Sequence, residues 1–193
     1  MALVGELLSS EAAAEALRLH DANVSALAFS ESSHAMRRAA EATKTVPSLS
    51  LSAVASREDC QAARFYGADG VCIQTGLSAA DWDALAKVAR GMRMLPLALV
   101  RTEADLEAAM KAGARAVVIS APTAAEVLAL SQKAPKSATL VADLAYYEGL
   151  LRTRSAADAD GLRALVGKVD SAVVPPSVHS DASFADLVQE VDP

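Results

Sequence analysis

The sequence predicts a closed (βα)8 barrel, and three observations carry that expectation. Short continuous apolar runs recur along its 193 residues. After six of them a Ser or Thr is followed three residues later by an acid, at Ser56/Asp59, Ser78/Asp81, Thr102/Asp105, Thr123/Glu126, Ser155/Asp158 and Ser183/Asp186. These pairs are spaced 21 to 32 residues apart, about the length of one strand plus one helix. That is capping-box spacing: the hydroxyl accepts from an orphan amide of the first helical turn, and the acid reaches back to the cap amide. Glycines placed just past helical patterns complete the punctuation.

Taken in order, the predicted strands are Ala2–Val4, Val24–Phe29, Val46–Leu51, Gly70–Ile73, Met94–Val100, Ala116–Ile119, Thr139–Ala142 and Ala172–Val174. They do not alternate polar with apolar residues, so both faces are buried, as in a parallel sheet covered by helices. Between them lie helical periodicities. Asp81–Arg90 spaces Trp82, Leu85, Ala86 and Ala89 on one face, and Glu103–Lys111 does the same with Leu106, Ala109 and Met110. Gly67, Gly91 and Gly113 stand where a left-handed C-cap is wanted, and Phe184–Glu190 is the last helix. An open doubly wound sheet is the competing fold. Near-equal units favour closure, because open sheets have unequal crossovers and polar edge strands. The expectation is a compact TIM barrel with short loops, residues 1–193 forming a single domain close to the usual lower size limit.

Composition narrows the chemistry. Apolar residues are 52% of the chain and aromatics only 4%, so the core is built from Ala, Val and Leu. A net charge of −6 argues against nucleic acid, which needs a basic face. Cys60 and Cys72 form no CxxC pair and have no His at ligand spacing, which suits reduced, buried thiols in a reducing compartment. No apolar stretch approaches a membrane span, and the first residues lack the basic region of a signal peptide. The expected location is cytoplasmic, or an organelle matrix if a transit peptide has been removed. No GxGxxG, Walker loop, GxSxG or HExxH occurs, and His20, His34 and His179 are too scattered for a metal set, so neither cofactor nor metal is expected.

Residues 46–119 carry a family resemblance. Val46-Pro47, Gln61-Ala-Ala-Arg64-Phe-Tyr-Gly67-Ala-Asp69, Arg101-Thr-Glu-Ala-Asp-Leu106 and Ala112-Gly113-Ala-Arg115-Ala-Val-Val-Ile119 resemble indole-3-glycerol phosphate synthase. That family is a (βα)8 barrel of tryptophan biosynthesis that closes an indole ring with loss of carbon dioxide and water. The resemblance implies catalytic groups that this chain does not carry. Glu6 retains an acid in the first strand, but Leu8 stands at the lysine two residues on. Leu51 falls at the third-strand general acid and Leu99 at the fifth-strand glutamate. Ser120-Ala121-Pro122, Asp143-Leu144-Ala145 and Pro175-Pro176 replace the motifs of strands six to eight. Leucine cannot transfer a proton, and proline has no amide to offer a phosphate.

Any site should lie at the C-terminal ends of the strands. Side chains placed to reach that rim include Glu6, Ser30, Ser52, Gln74, Thr75, Arg101, Ser120, Asp143 and His179. Glu6 and Asp143 form the candidate acid/base pair. The bland reading ties both carboxylates into structural hydrogen bonds or an ion pair with Arg101. The long segment 142–155 contributes Tyr146, Tyr147, Arg152 and Arg154, a composition suited to an anion or a protein partner. With Arg101, Ser120 and His179 these are the candidate ligand- or partner-binding residues. His20 and His34 are expected to face solvent.

The leading functional expectation from the resemblance is a barrel that has lost synthase activity, a pseudoenzyme serving as a binding, scaffold or accessory subunit. The alternative is a repurposed enzyme acting on a small anionic substrate, phosphate or carboxylate. A third expectation is a homodimer with Phe65, Tyr66 and Trp82 at its interface.

Overall fold

The computed structural model of the chain describes residues 1–7, 11–121, 124–143, 164–174, 176–180 and 184–191. Within them eight parallel strands close in sequence order into a barrel, β1-β2-β3-β4-β5-β6-β7-β8, with β8 pairing back onto β1. The strands are β1 Ala2–Glu6, β2 Ala26–Phe29, β3 Ser48–Val54, β4 Gly70–Ile73, β5 Leu95–Val100, β6 Ala116–Ile119, β7 Thr139–Asp143 and β8 Ser171–Val174. The helices are α1 Ala12–Asp21, α2 His34–Thr43, α3 Arg57–Phe65, α4 Ala79–Gly91, α5 Glu103–Lys111, α6 Ala124–Lys133, α7 Pro176–His179 and α8 Phe184–Val191. The predicted strands are thus found within a few residues, and the doubly wound alternative is excluded by the β1–β8 ladder.

The core has two parts, divided by the alternation of side chains along each strand. Outward-facing residues such as Leu3, Leu27, Phe29, Val71, Ile73, Val100 and Ile119 pack beneath the helices. Inward-facing residues fill the barrel in layers contributed by alternate strands. The registers stack Val4, Leu49, Leu97 and Val141 below Ala28, Cys72, Val118 and Val173. The small residues of the second layer, Ala28, Cys72, Val118 and Val173, are fully buried.

The helix starts follow the hydroxyl–acid spacing wherever the structure describes both partners. Ser56 and Thr102 each accept from the backbone amide three residues on, while Asp59 and Asp105 return to the cap amides, two full capping boxes. Ser78 accepts from the Asp81 amide, but here the Asp81 carboxylate takes the Ser78 hydroxyl at 2.6 Å instead of the cap amide. The pairs begun by Thr123, Ser155 and Ser183 include positions outside the described residues.

Three expectations need correction. Gly67 and Gly113 adopt positive φ of 98° and 85°, as a left-handed helix exit requires, but Gly91 is the last residue of α4. The left-handed position after α4 falls instead on Arg93, at φ 61°. β3 runs on to Val54 through an irregularity between Ser50 and Ala53, where two extra residues oppose none on β4. Such a bulge re-aims the strand end at the mouth. Trp82 is 3% exposed and belongs to the core rather than an interface; of the proposed trio, Phe65 is the exposed member at 62%, with the Arg37 guanidinium 5.0 Å above its ring.

β1 carries one close approach. A Cβ at Gly5 would come within 2.5 Å of the Leu19 side chain, so glycine there lets α1 lie tightly on β1. That approach matters below, because α1 brings Arg18 and Glu15 to the end of β1.

Replacing Ser56 or Thr102 by Ala should lower unfolding free energy by about 1 kcal/mol each, the usual worth of a lost cap. The helices are separate, so the double variant should be additive within about 0.5 kcal/mol. Urea denaturation of the three variants checks both statements.

Candidate functional site

β1 and β7 bring two carboxylates to the same layer of the barrel. Continuing the inward alternation upward, the registers place Glu6, Leu51, Leu99 and Asp143 together, one from each odd strand, directly above the Ala28–Cys72 layer. Glu6 is 7% exposed and Asp143 8%. Two acids so deeply placed in an aliphatic ring cannot both carry full charge cheaply. Burial, then the charge of Asp143, pushes the Glu6 carboxyl from 4.5 up to about 7. The Ser120 hydroxyl, itself buried, donates to Asp143 Oδ2 at 2.9 Å, and its backbone amide is fixed on the Val100 carbonyl at 2.8 Å. The same environment acts on Cys72 below: burial, then Asp143, pushes its thiol up to about 12. Cys72 is an inert neutral neighbour, and Cys60 is likewise buried and unpaired.

Other strand ends are followed by exposed polar residues. Ser30, Gln74 and Arg101 follow the ends of β2, β4 and β5 and are exposed. Arg101 is positioned through its backbone. Its amide donates to Asp105 Oδ2 at 3.0 Å, a carboxylate that also accepts from the Thr102 amide. Burial alone would raise the Asp105 pKa, but bonds from the Arg101 amide, the Thr102 hydroxyl and amide and the Thr75 side chain outweigh it and hold it below its ordinary value. The β4–α4 and β5–α5 loops are thereby tied to one acceptor. The Arg101 guanidinium makes no hydrogen bond or ion pair among the described residues, so the expected ion pair with Glu6 or Asp143 does not form there. Arg101 is exposed at the end of β5.

His179 is placed differently from the expectation that it lines the rim. It is fully buried behind the end of β1. Its Nε2–H donates to the Glu6 backbone carbonyl at 2.6 Å, and its Nδ1 accepts from Arg18 Nη2 at 3.0 Å. Arg18 Nη1 also donates to the His179 carbonyl at 2.5 Å. Burial, the largest influence, lowers the His179 pKa and Arg18 adds a little, together outweighing the raising effects of the Glu6 carbonyl, Glu15 and its own carbonyl. It contacts the site through the main chain of Glu6 and has no face free for a ligand.

Tyr146, Tyr147, Arg152 and Arg154, together with Leu8, lie outside the described residues. His20 and His34 are exposed, as expected. Among the described residues no cluster of three or more His, Cys, Asp or Glu could hold a metal ion, and no helix is long and apolar enough to cross a membrane. Sequence reasoning found the carboxylate pair and Ser120. It also put Leu51 and Leu99 at the barrel mouth, and the registers set them in one layer with the acids. The signal was available in their parity with Leu49 and Leu97.

Comparison with known proteins settles one question. A crystal structure of 3-hexulose-6-phosphate synthase overlays 99% of this chain and 98% of its own, with a TM-score of 0.73 and 16% identity. No protein-family model matches the chain, and no curated protein matches it either. At that identity the overlay establishes the fold. The resemblance to indole-3-glycerol phosphate synthase is overturned: the whole-chain match is to a different (βα)8 enzyme, and nothing ties this chain to the synthase or to tryptophan biosynthesis. The inference of a disarmed enzyme goes with it. Leu51, Leu99 and Pro175-Pro176 were losses only against that family's pattern; Leu51 and Leu99 belong to the inward-facing lining of this barrel.

The Glu6 shift fixes the sign of a pH dependence. A carboxyl whose folded pKa is about 7 and unfolded pKa 4.5 binds more protons when folded between those values, so stability falls as pH rises through that window. Glu6→Gln should remove this slope and be more stable than wild type at pH 8 by roughly 1–3 kcal/mol. Urea midpoints at pH 5 and pH 8 measure it; equal pH slopes in both proteins would contradict the assignment.

Proposed function

We propose that this chain is a (βα)8-barrel enzyme acting on a small anionic substrate, a phosphorylated sugar before a carboxylate, held at the C-terminal mouth. The observation that carries the reading is the buried Glu6–Asp143 pair. A carboxyl balanced near pH 7 can both give and take a proton under working conditions, which is what general acid–base catalysis requires. Burial first, and then the charge of Asp143, favour the protonated form of Glu6; Asp143, anchored by Ser120, is the natural partner base.

Charge and polarity across the mouth support a divided site. Arg101 holds the anionic end, with Ser30 and Gln74 along the open side for hydroxyls. The reacting end lies over the odd-strand layer, between Leu51 and Leu99, where low dielectric strengthens proton transfer. The reaction class this favours is proton transfer at a carbon or hydroxyl beside a carbonyl. Tyr146, Tyr147, Arg152 and Arg154 belong to the proposal as further anion-binding groups following β7. The name of the overlaid enzyme, a hexulose-phosphate synthase, favours a sugar phosphate over a carboxylate as the first substrate to try.

The test begins with thermal shift against pentose and hexose phosphates, the matching free sugars and small carboxylates. Phosphorylated sugars should raise the melting temperature where free sugars do not, and Arg101→Met should weaken that binding about 10–100-fold, the worth of a charged hydrogen bond. Turnover of a stabilising compound, followed by NMR, should drop roughly 10²–10⁴-fold in Glu6→Gln and in Asp143→Asn. A panel in which no anion stabilises the protein would overturn the reading.

A further inference from the structure

The ladder between β1 and β8 has a gap at its upper end, and a side chain fills it. The Ala2 amide donates to the Asp170 carbonyl on the β8 side, while the Leu7 amide donates to Ala28 on the β2 side. Parallel pairing alternates along a strand, so residues 2, 4 and 6 of β1 address β8. The Glu6 carbonyl therefore needs a donor two residues beyond Val174, the last β8 residue to pair with β1. That position is Pro176, which has no N–H. The donor actually present is Nε2–H of His179, one turn further along α7.

We propose that His179 is a positioning residue for Glu6, standing in for the ladder donor that Pro176 lacks and so fixing how deeply the Glu6 carboxyl sits in the barrel mouth. The proposal deepens the acid–base reading and rests on it for its functional consequence. Its geometry is independent of any substrate. A carbonyl at the end of a buried strand demands a partner, and here the partner is held in turn from two elements. From α1, Arg18 donates to Nδ1 and to the His179 carbonyl, while Glu15 Oε1 lies 3.7 Å from Nδ1. From α8, the Phe184 ring meets the imidazole edge to face at 6.0 Å. Arg18 on one nitrogen and a carbonyl acceptor on the other leave only one consistent arrangement, a neutral ring with its proton on Nε2.

The consequence concerns both charge and position. With the end of β1 pinned, Glu6 is kept in the layer of Leu51, Leu99 and Asp143, where water cannot solvate its anion. Without the pin, β1 frays from its last residue, water reaches the carboxyl, and its affinity for a proton falls. His179 thus acts on the chemistry without touching a substrate.

The experiment uses the full chain and no ligand. Glutamate labelled with carbon-13 at the side-chain carboxyl reports the Glu6 titration by NMR, assigned by its loss in Glu6→Gln. His179→Gln keeps a donor for the Glu6 carbonyl and an acceptor for Arg18, and should leave the titration near 7. His179→Met keeps the volume but not the donor, and should return Glu6 toward 4.5. A folded His179→Met protein in which Glu6 still titrates near 7 overturns the proposal, as does a His179→Gln protein in which it does not. If His179→Met fails to fold, nitrogen-15 shifts of the wild-type imidazole decide: a proton on Nε2 supports the pin and a proton on Nδ1 overturns it. A wild-type Glu6 that titrates near 4.5 instead undermines the acid–base reading itself, which keeps the two failures apart.

Discussion

The pairing of β1 with β8 is the contact on which the rest of this structure depends. Without it the eight strands are an open sheet with two exposed edges and no enclosed interior. With it, the inward residues of every strand face one another in a space only side chains can fill. Ala28, Cys72 and Val118 make that space tight, and all are fully buried. The upper end of the ladder is also where the pairing stops, because β8 passes into Pro176 and α7 just as β1 reaches Glu6. Closure and the candidate site therefore meet at one residue. Its backbone is the last rung of the barrel and its side chain enters the mouth.

The two carboxylates owe their behaviour to their neighbours. Leu51 and Leu99 offer no hydrogen bond, so the ionised form of Glu6 loses solvation that they do not replace. Asp143 has the Ser120 hydroxyl, and its charge adds to the difficulty of ionising Glu6. Desolvation and a like charge push the same carboxyl in the same direction. Leucines in that ring are part of the device. A lysine at either position would pair with the acids, stabilise their anions and abolish the condition that makes Glu6 protonatable near neutrality.

How much of this was legible in the sequence depended on the range of the interaction involved. The strands and helix starts are local, and their signals are local too. Ala116–Ile119 is an unbroken apolar run, and Thr102 with Asp105 is a complete capping box within four residues. Gly67 and Gly113 were readable because only glycine adopts their backbone angles without strain. Gly91 misled because Arg93, two residues on, absorbs the left-handed turn. The bulge in β3 could not be read, since Ser50-Leu51-Ser52-Ala53 alternates smoothly and only the pairing with β4 shows the extra residues. Glu6 and Asp143 could be named because parity and strand number alone place them near each other. The role of His179 was hidden because it depends on a missing amide at Pro176, a carbonyl 173 residues away and a guanidinium on α1. The family resemblance failed for a related reason. Its matched residues are helix exits and strand starts, which any compact (βα)8 chain repeats, so they report architecture and not descent.

The same weakness bears on how the fold can be used at all. Solved chains matching this one number 762, and so common an architecture leaves the chemistry to be argued from the site. One feature of the site favours the proposed enzyme over a passive scaffold. Above neutral pH, Glu6 costs the folded state stability, because its folded pKa lies above its unfolded one. A scaffold has no use for such a residue. An aliphatic side chain at position 6 would complete the layer begun by Leu51 and Leu99 and leave the Asp143–Ser120 bond in place. Natural proteins tolerate a destabilising buried charge chiefly where function uses it. A second acid beside the first, a hydroxyl anchoring that second acid, and a buried histidine holding the first strand end in place compound the cost in one small volume. That concentration of ionisable groups is the argument for chemistry at this end of the barrel.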